Sequence, residues 1–271
     1  MIRIRDLSLP PDGDMARLVQ AAARQLRISP NEIKQLDLKK KSVDARKKND
    51  VRIIYTVDVV VKGREDKILK MAHCPKASAA RDVPYRVPQP QTLPDSRPII
   101  VGFGPAGMFA ALVLSMAGLC PLVLERGQDA KTRHEAVLRF WQTGELDPEC
   151  NVQFGEGGAG TFSDGKLNTG VKNERIGWIL EQFAEAGASA DILYDAKPHI
   201  GTDELVTVVQ NLRDVRIYDT VRDADGKEKR VLNSKETTLA QQKQQAIKEA
   251  FRDWIWRDPD RRRELVQLYN E

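Results

Sequence analysis

Gly102, Gly104 and Gly107 occupy the three fixed positions of a G-x-G-x-x-G run, with Pro105 and Ala106 between the last two. Glu125 follows about twenty residues further on, ahead of Arg126 and Gly127. These residue types at this spacing suit the holding of a diphosphate. The first glycine permits a tight turn, the second lets backbone approach a pyrophosphate, and the third lets a helix pack close to a strand. An acid in the position of Glu125 accepts hydrogen bonds from ribose hydroxyls. It therefore favours an unphosphorylated ribose, as in FAD or NAD, and disfavours NADP. The competing reading is an ordinary β-α-β turn that holds no nucleotide.

The flanking residues supply the elements such a turn needs. Ile99, Ile100 and Val101 form the short apolar run of a buried parallel strand. Met108 to Ala117 reads as an apolar helix packed on a sheet, its free N–H groups and positive dipole end facing the diphosphate. Pro121 to Leu124 then returns as a second strand. The stretch Arg97 to Gly127 is thus expected to be a Rossmann-like β-α-β unit in an α/β fold.

A second glycine-rich stretch, NVQFGEGGAGTFSDGKLNTG, runs over residues 151–170. Its glycines, with Thr161 and Ser163, provide a backbone that can wrap closely around a ligand and several hydroxyl and N–H donors. No residue stands out as a general acid or base, and the catalytic residues stay unknown: His134 and His199 are lone histidines without a partner motif. Cys74, Cys120 and Cys150 are widely separated, so they make neither a zinc set nor a redox dithiol, and no metal is expected.

At 271 residues the chain has room for about two domains. Its hydrophobic fraction of 41% and charged fraction of 30% are those of a globular protein, and a net charge of +4 does not by itself call for nucleic acid. No apolar run is long enough to cross a bilayer and the N-terminus lacks a signal-peptide core. A cytoplasmic, membrane-free protein is the default expectation.

Residues 1–62 read as a small α+β domain of strand, helix, strand, strand, suggesting a ferredoxin-like sandwich. Ser29, Pro30 and Glu32 form a capping box for a second short helix. Lys39, Lys40, Lys41, Arg46, Lys47 and Lys48 lie on the hairpin between two strands near 36–43 and 51–61. They are either a solvated charged edge, which is favoured, or an anion or RNA contact. Residues 63–96, with five prolines from Pro75 to Pro94, read as an extended linker. Residues 97–213 form the dinucleotide domain, in which residues 129–142 make a helix with Val137, Leu138 and Trp141 on one side. Two further amphipathic helices run over 174–186 and 202–212.

The segments KKKSVDARKKNDV, VGFGPAGMFAAL with its ERG, NVQFGEGGAGTFSDGKLNTG and KPHIGTDEL together resemble the uncharacterised bacterial FAD-dependent dehydrogenases of the glutathione-reductase-like superfamily. The resemblance covers residues 1 to about 213. It implies a non-covalent FAD, with NADH or NADPH as reductant in a complete enzyme, and an oxidoreductase acting on a small molecule that the sequence does not specify. It assigns the diphosphate to Gly102, Gly104, Pro105, Ala106 and Gly107 and the adenosine ribose to Glu125, with Arg126 beside it. Gly157, Gly158, Ser163, Gly165 and Lys166 would line the diphosphate, ribityl chain or isoalloxazine.

Past residue 213 that likeness stops. Residues 214–271 read as a strand hairpin turning at Asp223 to Lys227, a polar helix over 238–256 and a last helix capped by Asp258 and opened by Pro259. The segment NSKETTLAQQKQQAIKEAFRDWIWRDPDRRRELVQLYNE resembles a piece of large bacterial or phage DNA helicases of the SNF2 type, although no Walker motif accompanies it. A truncated or fused flavoprotein, joined near 213 to an unrelated tail, is the expectation. Its rivals are a nucleic-acid-associated module and an inactive nucleotide-binding fragment.

Overall fold

The structure, a computed structural model, describes residues 1–81, 84–214, 218–222, 228–232, 257–260, 263 and 267. It is a mixed α/β chain with antiparallel and parallel sheets, and it divides into two compact units, residues 1–211 and 212–271.

The first unit opens with β1 (Ile2–Leu9), α1 (Met15–Leu26), β2 (Ile33–Asp44), β3 (Arg52–Val61), α2 (Glu65–Ala72) and β4 (Ala77–Ala79). The four strands pair antiparallel in the order β2-β3-β1-β4, a split β-α-β arrangement. Alternation along the two central strands sends Ile2, Ile4, Val57 and Val59 to one face. There they join Leu18, Ala22 and Leu26 of α1 and Ile68 and Ala72 of α2 in a buried cluster. Leu7 and Leu9 belong to the same core despite their odd numbers, because the pairing of β1 with β3 shifts between Ile4 and Leu7. Asp6 lies in that interval with a φ of 55°.

Three local expectations change here. The capping box opens only a 3-10 turn, Pro30–Glu32, because β2 starts at the next residue. Residues 65–79, expected as the first half of a linker, form α2 and β4. The five prolines cluster from Pro84 onwards apart from Pro75, leaving Glu65–Ala72 free to be helical. The sheet unit therefore extends past residue 62 to about residue 80, where the Ala80 N–H still donates to the Met1 carbonyl at 3.0 Å.

Next come β5 (Ile99–Val101), α3 (Pro105–Met116) and β6 (Leu122–Leu124), with β5 and β6 parallel, followed by α4 (Ala130–Thr143), α5 (Arg175–Glu185) and α6 (Thr202–Arg213). Burial of α3 is less than its composition suggests. Only Met108 is buried, and Ile99 and Val101 of β5 are 65% and 63% exposed. One side of α3 is nonetheless held, since Phe109 meets Trp178 and Phe183 of α5 edge to face, at 5.9 and 5.3 Å between ring centroids. Tyr85 continues the stack against Trp178 at 5.4 Å. Residues 194–196 lie along the edge of β2: the Lys41 N–H donates to the Tyr194 carbonyl at 2.7 Å and the Ala196 N–H to the Lys41 carbonyl at 2.8 Å.

In the second unit, β7 (Tyr218–Arg222) and β8 (Glu228–Leu232) pair antiparallel. The expected turn at 223–227 and the helix over 238–256 lie outside the described residues. Asp258 accepts the Asp260 N–H at 3.0 Å, at the start of the last helical segment. No helix among the described residues is long and apolar enough to cross a membrane.

Candidate functional site

The fingerprint glycines sit where strand becomes helix. Gly102, with a φ of 89°, donates its N–H to the Leu124 carbonyl at 2.7 Å and so ties the turn to β6. Gly104 is the N-cap of α3, and its carbonyl accepts the Met108 N–H at 2.9 Å. Pro105 opens the helix without an N–H to lose, and the amides of Ala106 and Gly107 have no intrahelical acceptor. Gly107 lies so near the turn that an added Cβ would run into the Gly102 carbonyl oxygen. Glu125, at the end of β6, accepts the Phe103 N–H at 2.6 Å and the Gly127 N–H at 3.0 Å. The acid expected to meet a ribose thus also fixes the backbone of the fingerprint loop.

The second glycine stretch packs directly on the first. The Gly157 N–H donates to the Phe103 carbonyl at 2.8 Å and the Glu156 N–H to the Gln128 carbonyl at 3.0 Å. A Cβ added at Gly158 would lie 3.1 Å from the Gly104 Cα and 3.3 Å from the Pro105 Cδ. The buried Glu156 carboxylate accepts the Ala130 N–H at 2.7 Å, at the start of α4. Gly102, Gly104, Pro105, Gly107, Glu125, Gly157 and Gly158 are therefore brought together around the N-terminus of α3.

Arg133 organises this junction, and the sequence reading missed it. The side chain is fully buried. Its guanidinium donates to the carbonyls of Asn151 at 2.8 Å, Val152 at 2.6 Å, Glu156 at 2.8 Å and Gly158 at 2.8 Å, with Gly155 at 3.4 Å. It also lies 4.7 Å from the Phe162 ring centre. Burial lowers its pKa, while Cys150, Glu125 and Glu156 act in the opposite direction. The signal was available: the buried stripe of α4 is Ala130, Arg133 and Val137, while Leu138 and Trp141, expected on the inner side, are 39% and 59% exposed. An arginine on a buried helical stripe marks an internal cation that must be paired.

The remaining expected residues make other contacts. Arg126 binds Glu149 through two nitrogens, at 2.7 and 2.8 Å, and lies 4.3 Å from the Phe154 ring centre. The ion pair holds the Glu149 carboxyl below its ordinary range. Ser163 donates to the Gly160 carbonyl at 2.7 Å and accepts the Gly165 N–H at 3.1 Å. Gly165 packs against Ile200, and Lys166 pairs with Asp164 at 2.6 Å while its backbone forms an antiparallel bridge with that of His199. Ser163, Gly165 and Lys166 thus lean on residues 198–202. Ala106 lies in the first turn of α3. His134 stacks on Phe162 with its Nδ1 buried and unpartnered, and the buried Thr161 hydroxyl also lacks a partner.

Part of the basic hairpin, with the neighbouring Arg52, is paired within the chain. Arg46 pairs with Asp44 at 2.6 Å, Arg52 with Asp50 at 2.7 Å, Lys41 with Asp195 at 3.8 Å and Lys39 with Asp58 at 3.9 Å. Arg46 donates to Asp44 from side chain and backbone and lowers its pKa to about 2. A lowered carboxylate pKa stabilises the folded state above the unfolded value, and that contribution is lost as pH falls through the folded value. We therefore expect the Asp44 carboxyl, followed by NMR, to titrate near 2. In Arg46→Ala it returns towards the ordinary aspartate value, and an unchanged titration there would refute the pairing.

Among known proteins, residues 1–60 match a family described as a domain of unknown function (DUF8436), and residues 171–271 match another (DUF8437). The second match spans residue 213, while the boundary between the two compact units falls after Asn211. A protein of Clostridium beijerinckii described as an uncharacterized protein is 44% identical over 215 residues, which are 79% of this chain and 40% of the relative. The chain thus spans about 40% of the length of the curated relative that it matches.

Proposed function

We propose that residues 97–213 bind FAD, and that the chain is the FAD-binding front portion of an oxidoreductase. The observation that carries this reading is the convergence of two glycine stretches at one helix N-terminus, with Gly158 set against Gly104 and Pro105. The site suits a dinucleotide: the close approach at Gly107 keeps α3 tight on the turn, and the first-turn amides offer donors to a diphosphate. Glu125, partly buried and oriented by two amides, is the acid that would meet an adenosine ribose. Bound FAD would supply hydride transfer, with NADH or NADPH as reductant in the whole enzyme. This chain's residues bind and orient it. The front sheet, with the strand order of a ferredoxin-like sandwich, would be an accessory domain to that site. A nucleic-acid role is less well supported, because four of the basic residues in and beside the hairpin have acidic partners.

The test is purification of the chain without added cofactor, followed by titration with FAD. A yellow protein carrying FAD at near one equivalent is expected. Colourless protein that takes up no added FAD would overturn the reading.

A further inference from the structure

We propose that the cleft between β2 and residues 167–198 binds a small organic monoanion, a carboxylate with an apolar body, and does so independently of FAD. The cleft lies within the first unit. Lys39 and Lys40 of β2 form one side, and residues 167–169, α5 and residues 192–198 form the other. The two hydrogen bonds that tie Lys41 to Tyr194 and Ala196 hold these sides together. The cleft has a volume of about 270 Å³, room for a ligand of about ten non-hydrogen atoms. Ile176 and Leu180, one turn apart on α5, line it with Leu167, Ile192 and Pro198, and all five are buried or half-buried. Its polar lining residues Lys40, Asn168 and Thr169 are exposed, so an apolar interior ends in a polar mouth.

The polar groups at that mouth select the charge. The pairing of β2 with β3 shifts between Leu38 and Lys40, which makes Lys39 the extra residue of a bulge. Successive side chains of a regular strand leave on opposite faces, whereas a bulge re-aims its neighbours, and here two successive lysines line one cleft. Of the three consecutive lysines, Lys41 pairs with Asp195, and Lys39 lies 3.9 Å from the Asp58 carboxylate that also holds Arg3. Among the described residues the Lys40 ammonium has no acidic partner, and the Asn168 side chain makes no hydrogen bond. The Thr169 hydroxyl accepts the Val171 N–H at 3.2 Å and keeps its own proton to donate. One unmatched positive charge beside two further donors is complemented by a group that accepts hydrogen bonds and carries a single negative charge.

The experiment titrates the full chain with phenylacetate and, separately, with the neutral phenylacetamide, following backbone N–H signals by NMR. Phenylacetate is expected to shift the signals of residues 167–169, 176, 180 and 192–196, and phenylacetamide to bind about fivefold more weakly. In Lys40→Gln the affinity for phenylacetate falls by about fivefold and that for phenylacetamide is unchanged, so the two ligands bind alike. Lys47→Gln, a change in the same hairpin but outside the cleft, leaves both affinities as they are. Three results would each overturn the proposal: no shift in the cleft at about 20 mM phenylacetate, equal binding of the two ligands by the wild type, or a loss in Lys47→Gln as large as in Lys40→Gln. The comparison of the two ligands is made on the wild type, so it decides the matter even where a variant does not fold. A chain that takes up no FAD yet shows these shifts would remove the FAD reading and leave this site standing.

Discussion

Gly107→Ala is expected to abolish FAD retention and to lower the thermal stability of the first unit. The added Cβ would meet the Gly102 carbonyl oxygen, and the backbone fixes the positions of both atoms. No rotamer change relieves it, so α3 must lift from the turn, and overpacking of this kind costs about 1–3 kcal/mol or more. The lift propagates to the binding site, because Gly104 caps the same helix and Gly158 rests on Gly104. A 1 Å displacement of the first-turn amides is enough to break well-aligned hydrogen bonds to a diphosphate. Gly177→Ala provides the control. It lies inside α5, where an added Cβ meets nothing within 4 Å, and should raise stability by about 0.5–1 kcal/mol without touching FAD affinity. Thermal melts and FAD titrations of the two variants side by side read both effects. A Gly107→Ala chain that binds FAD like the wild type would show that close packing is not what the glycine is for.

The contrast between Gly107 and Arg133 shows which parts of the site could be read from sequence. Gly102 and Gly107 were legible because the turn imposes a positive φ at the one and a close approach at the other, which only glycine meets cheaply, whereas Gly104, with a φ of −73°, was legible from the spacing alone. Arg133 was not, because its importance depends on which face of α4 is buried, and Leu138 and Trp141 suggested the wrong face. Glu125 was located correctly in the chain, yet its two amide bonds to Phe103 and Gly127 depend on a loop geometry that spacing does not encode. In the front unit the alternation of Ile2 and Ile4 was readable, whereas the shift that brings Leu7 and Leu9 to the same face arises at Asp6, where nothing in the residue type announces a positive φ. Residues 65–79 were obscured by the prolines that follow them, although Ile68 and Ala72 are spaced to face a core. Joining the two glycine stretches is a tertiary event, carried by the Gly157–Phe103 bond and by Arg133, and no local pattern predicts it.

Asp58→Ala should be the most destabilising single change in the front sheet. Asp58 and Arg3 are directly paired across the two central strands, on the face opposite to Ile2, Ile4, Val57 and Val59. The carboxylate is fully buried and takes both Arg3 nitrogens at 2.8 Å, with Lys39 at 3.9 Å. A buried charge is tolerated only when paired and hydrogen-bonded, and removing one partner leaves the other desolvated at a cost of about 3–5 kcal/mol. The Arg3 side chain keeps 19% of its exposure, so some water reaches the guanidinium that loses the Asp58 carboxylate. That places the expected loss near the lower end, about 3 kcal/mol. Replacing both partners together, as Arg3→Met with Asp58→Leu, removes the charge along with the pair, so most of the loss should be recovered. Urea unfolding with amide exchange in β1 and β3 as the local probe measures both variants. A double variant as unstable as Asp58→Ala would mean that the ion pair itself, and not the buried charge left without its carboxylate, sets the stability of the sheet.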